Sequence, residues 1–184
     1  MKKRAFSILL IILSISPGLY CGKNNILQKL MNEVIESDSG NKGIEVSVYY
    51  GDNPSIIVYD LIAITNENSM ADVFRVFLQF AEKTKSYEFD KVELAFRKKV
   101  KFVINGDYFK KLGEEYPHQN PVYTMSTFPE NLMNPDGSNA YSKWTGGLIG
   151  VATKQIEDFN DFHKKWYFEE ISTELTQAKV NHVI

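Results

Sequence analysis

Residues 44–65, IEVSVYYGDNPSIIVYDLIAIT, decide the fold. Ile44, Val46, Val48 and Tyr50 alternate with Glu45, Ser47 and Tyr49, the two-residue period of a strand with one buried face. Gly51-Asp52-Asn53-Pro54 turns the chain, and the run from Ile56 to Thr65 is apolar almost throughout, as a central strand covered on both faces would be. The two form a hairpin. A second hairpin lies downstream, where Val92, Leu94 and Phe96 alternate, Arg97-Lys98-Lys99 turns, and Val100 to Ile104 returns. Three cations at that turn read as a solvated, charged edge. Between the hairpins, Ser69 and Asp72 have the spacing of a capping box, and a helix to about Lys85 carries Met70, Val73, Phe74, Phe77, Phe80 and Ala81 on one face. Hairpins separated by an amphipathic helix imply an α+β fold, a mainly antiparallel sheet with helices packed on a face.

Outside this frame, Ile26, Leu27, Leu30, Met31, Val34 and Ile35 predict a helix over 25–37. Asn105-Gly106-Asp107 opens a short helix, Tyr108 to Leu112, which Gly113 is placed to end in a left-handed conformation. Residues 113–147 hold four of the six prolines and a single predicted strand, Val122 to Phe128. A final helix is expected from Leu148 to about Ile171, followed by a frayed polar tail. There is no repeat, low-complexity segment or linker, so residues 21–184 read as one domain.

Residues 1–20 have the three parts of a secretory signal: Lys2-Lys3-Arg4, an apolar run from Ala5 to Ile15, and the small-residue break Ser16-Pro17-Gly18. Cys21, the only cysteine, follows directly. Its position resembles that of the lipid-modified cysteine of bacterial lipoproteins, although Tyr20 stands where that class carries a small residue. The resemblance implies a lipid on Cys21 and attachment to a membrane of the cell envelope. The alternative is cleavage after Gly18, giving a periplasmic or secreted chain with a free thiol. No family resemblance extends across the domain itself.

With Lys2, Lys3 and Arg4 set aside, 18 basic residues face 23 acidic ones, a net charge of −5. Such a domain lacks the field that draws a phosphate backbone, so nucleic-acid binding is not expected. No nucleophile elbow, cofactor fingerprint or metal-ligand spacing is present, so no cofactor or metal is assigned. His163 lies on the last helix among aromatic residues and reads as partly buried, and His182 lies in the tail. Glu157 and Asp161 share a helix face, but Lys164 and Lys165 suit Asp161 as ion-pair partners. Gly146, Gly147 and Gly150 precede or open the last helix, where they fit either tight packing or an anion on backbone N–H groups.

The remaining constellation is His118, Asn120, Tyr123, Tyr141 and Trp144, a mixture of amide, hydroxyl and aromatic groups suited to a protein, peptide or sugar surface. Together with Gly146 and Gly147 these are the candidate binding residues, unless the aromatic side chains only anchor their loop to the sheet. The expectation is a non-enzymatic, lipid-anchored binding protein of the bacterial envelope, engaging an envelope protein or small ligand. The alternative is an envelope hydrolase or transferase using the 113–150 region, with His118 and a nearby acid, or the Gly146–Gly150 turn as an anion site.

Overall fold

Ser69 caps the helix that organises the sheet. Its hydroxyl accepts the Asp72 N–H at 3.2 Å while the Asp72 carboxylate accepts the Ser69 N–H at 2.8 Å, closing a capping box. The computed structural model describes the backbone of residues 18–181 and the side chains of residues 26–177. The order is α1 (Gly18–Ser37), β1 (Glu45–Tyr50), β2 (Ile56–Ala63), α2 (Met70–Lys83), β3 (Lys91–Phe96), β4 (Lys99–Asn105), α3 (Gly106–Glu115), α4 (Pro121–Thr127), α5 (Leu148–His163) and α6 (Glu169–Asn181). A five-residue π-helical turn, Lys164–Phe168, joins α5 to α6 without a break. The leader up to residue 17, the Cys21 side chain and His182 lie outside the described residues.

The fold is α+β. The four strands lie in the order β1-β2-β3-β4, each hairpin antiparallel within itself. The hairpins meet through β2 and β3, which pair in parallel from Ile56↔Lys91 to Leu61↔Phe96, so the sheet is mixed. A parallel pair needs a crossover, and α2 supplies it. One sheet face buries Val46, Val48, Ile57, Tyr59, Leu61, Val92, Leu94, Phe96, Phe102 and Ile104 beneath the helices. The predicted stripe on α2 is the opposing surface: Phe74, Phe77 and Phe80 are at most 1% exposed, and Tyr59 meets Phe77 edge-on at 5.2 Å.

The turn between β3 and β4 is only Arg97-Lys98, both with positive φ (49° and 70°), as a tight hairpin requires. Two non-glycine residues there are costly, and β2 holds them in place. Arg97 N–H donates to the Leu61 carbonyl, and the buried Asp60 carboxylate accepts the Lys98 N–H with both oxygens at 3.0 Å. Burial raises the Asp60 pKa above the usual carboxylate range, while the bond from Lys98 pulls it back. The turn is not a free charged edge. Arg97 pairs with Glu174, and Lys99 and Lys101 pair with Glu170, so the basic tip holds α6.

Three further expectations are corrected. Val122 to Phe128 is not a strand but lies in α4 and its C-cap, because Asn120 accepts the Val122 N–H and Pro121 pre-sets the first turn. The tail does not fray after Ile171, since α6 continues to Asn181, supported by its ion pairs to the β3–β4 hairpin. Gly113 does not end α3, which runs on to Glu115. It is buried where α3 crosses α2, and a Cβ there would stand 2.2 Å from the Ala81 carbonyl oxygen. Because the obstacle is backbone, Gly113→Ala should cost about 1–3 kcal/mol by overpacking, against a gain of ~1 kcal/mol in helix propensity. The urea midpoint should fall; a midpoint at or above wild type would mean that the helices separate freely.

Candidate functional site

The segment between α4 and α5 is built rather than loose. Leu132 is fully buried, and Met133 extends the sheet beyond β4 through paired bonds with Val103 at 2.8 and 2.9 Å. Asp136 accepts the Ser138 N–H to close the following turn. From there the chain is strapped along α5. Tyr141 packs on Phe102 and donates its hydroxyl to Asp161 at 3.0 Å, and Lys165 bonds the same carboxylate oxygen at 2.6 Å. Trp144 donates Nε1 to Asp158 at 2.6 Å, with the Lys154 ammonium 5.9 Å above its ring. Burial first, then the bond to Asp161, pushes the Tyr141 hydroxyl well above the ordinary tyrosine range, so it stays protonated.

The seven predicted binding residues therefore fall into two groups. His118, exposed in the turn after α3, offers only its backbone N–H to the Glu115 carbonyl. Asn120 serves as the cap of α4, and Tyr123 is 56% exposed on that helix, lining a 150 Å³ hollow with Tyr108, Glu115 and Glu130. Tyr141 and Trp144 do anchor the loop: Tyr141 to the sheet through Phe102 and to Asp161 on α5, and Trp144 to Asp158 on α5. Gly146 has φ +135°, and a Cβ on Gly146, Gly147 or Gly150 would meet nothing within 4 Å. Tight packing is thus not the reason for these glycines.

Two residues that the sequence reading passed over stand beside them. Leu148 and Ile149 open α5 and are 85% and 83% exposed. Leu148 precedes the buried Phe159 by three turns on the same helix face, so the exposed start of the helix stands about 16 Å from the first residue it buries fully. Val122, 61% exposed, and Tyr123 lie on α4, which packs against α5. The sequence signal was there: large apolar residues directly after glycines, with no side chain to cap the helix start.

Among the described residues, no three His, Cys, Asp or Glu side chains converge as metal ligands, and no helix is long and apolar enough to cross a membrane. Comparison of the chain with known sequence families, with characterised proteins and with solved structures finds no match.

His163 is fully buried, more deeply than its spacing predicted. Its ring lies among Phe159, Phe162, Trp166 and Tyr167; Nδ1 is 3.1 Å from the Tyr167 hydroxyl and Nε2 has no partner. Burial drives its pKa down to about 3. Because the unfolded chain takes up a proton near pH 6.5 and the folded one does not, stability is complete above pH 6.5 and lost as pH falls toward 3. The slope should approach ~1.4 kcal/mol per pH unit. Urea midpoints of wild type and His163→Leu at pH 7.5 and pH 4.5 test this: the wild type should lose more. Equal losses would mean that His163 accepts a proton in the folded state.

Proposed function

We propose that this chain is an exported, lipid-anchored, non-enzymatic binding protein of the bacterial cell envelope, and that it meets a protein partner with the exposed start of α5. The observation that carries the contact is the exposure of Leu148 and Ile149, each above 80%, on a helix whose side chains before Phe159 are at most partly buried. Large apolar side chains clustered on a surface mark interaction sites. Trp144, strapped to α5, and Val122 and Tyr123, on the helix packed against α5, are further exposed apolar and aromatic residues, the composition favoured at the centre of protein interfaces. The strap of Tyr141 and Trp144 to α5 supports the role, because it fixes the approach to the tip and lowers the entropy lost on binding.

Leu148→Asp combined with Ile149→Asp tests the contact. Both positions are exposed, so the thermal midpoint should hold, with stability changed by about 0.5 kcal/mol or less. A photo-reactive residue at position 148 should capture one envelope protein, and that protein should fail to co-purify with the double variant. Undiminished recovery of the partner would remove the tip from the interface.

Export and anchoring rest on the leader and on Cys21. Growth with a clickable fatty acid should label the wild type and leave Cys21→Ala unlabelled. An unlabelled wild type that retains Met1 would end that part of the proposal.

A further inference from the structure

The outer edge of the sheet at β1 carries an unusual pairing. Gln28, half-buried on α1, donates Nε2 to the Val46 carbonyl at 3.1 Å and accepts the Val48 N–H on Oε1 at 2.8 Å. One amide that gives to residue j−1 and takes from residue j+1 does what a residue of a parallel neighbouring strand does. The side chain thus reproduces a single rung of a fifth strand, centred on Ser47. Around it runs a groove of about 510 Å³, within the roughly 300–1,000 Å³ of ligand clefts. Ile35, Ile44 and Ile62 give it apolar walls, Glu36 and Glu45 are its charged lining residues, and no lysine or arginine lines it.

We infer that β1 accepts an extended, lysine- or arginine-bearing segment of another protein as a parallel fifth strand, with the Gln28 amide holding the place until it binds. The incoming backbone takes over the Val46 carbonyl and Val48 N–H, the general mode of strand addition. Alternate side chains then reach Glu36 on the helix side and Glu45 on the open sheet face. In the free protein the amide covers an edge that would otherwise recruit strands indiscriminately. This surface is separate from the α5 tip, and neither reading depends on the other.

The probe is an acetylated heptapeptide alternating valine with lysine, titrated into the 15N-labelled chain. Saturable shifts are expected at the amides of Val46, Ser47 and Val48. The glutamate counterpart should bind at least tenfold more weakly, and N-methylation of alternate peptide nitrogens should abolish binding. A spin label on the peptide N-terminus should broaden Ile44 and Glu45 rather than Tyr50, because the pairing is parallel. Gln28→Ala, freed of its competitor, should bind several-fold more tightly. No saturable shift at Val46–Val48 at millimolar peptide overturns the proposal. So do equal affinity for the glutamate peptide, broadening at Tyr50, or a Gln28→Ala chain that pairs with its own copy instead. If the variant fails to fold, the wild-type titrations decide.

Discussion

Trp166 is wholly buried, stacked on Phe162 at 5.2 Å, and its Nε1 donates to the Ala95 carbonyl at 2.9 Å. Opposite that carbonyl, β4 carries one residue more than β3: Leu94 faces Phe102 while Ala95 faces Val100, leaving Lys101 as the extra. A bulge breaks the ladder locally, and the indole takes the carbonyl there. Losing the donor would leave a buried carbonyl unpaired, a cost of about 1–3 kcal/mol before any cavity is counted. Lys101, displaced by the same bulge, reaches Glu170 on α6. One irregularity in β4 therefore seats the C-terminal helices twice, by a neutral hydrogen bond inside and an ion pair outside.

The π-helical turn belongs to the same constraint. It spans Lys164–Phe168, where Trp166 and Tyr167 are both buried beside His163. A wider turn redistributes adjacent large rings on one helix face, and such turns occur where packing outweighs ideal helix geometry. α5 is held at this end by Phe159, Phe162 and Trp166, while its first turn leaves Leu148 and Ile149 exposed.

Much of the fold was legible because it is written in local periods. The two hairpins, the stripe on α2 and the Ser69–Asp72 box each rest on residues within a few positions of one another. The parallel junction of β2 and β3 was not legible, since hairpins state their internal pairing and nothing about which strands adjoin. In 122–128, β-branched and aromatic residues suggested a strand, but Asn120-Pro121 settled a helix, and capping chemistry prevailed over propensity. Gly113 carried the signal of a helix end, and only the approach of α2 makes it a packing residue instead. The arrangement of the candidate residues was hidden for a related reason. Tyr141 and Trp144 were grouped with His118 and Tyr123 by nearness in the chain, whereas their partners, Asp161 and Asp158, lie up to twenty residues away.

The two edges of the sheet show how the molecule divides protection from availability. At β4 the edge is closed by backbone, Met133 exchanging both hydrogen bonds with Val103, and displacing it would require the buried Leu132 to move as well. At β1, among the described residues, the Val46 carbonyl and Val48 N–H are closed by one side-chain amide, also bonded to Asn32 at 2.9 Å, which leaves by rotation about its own bonds while α1 stays in place through Leu27, Met31 and Val34. Closing an edge with main chain is durable because many contacts must break together. Closing it with one glutamine costs little to reverse. The asymmetry makes β1 the edge at which the fold can take on another strand without disturbing its core.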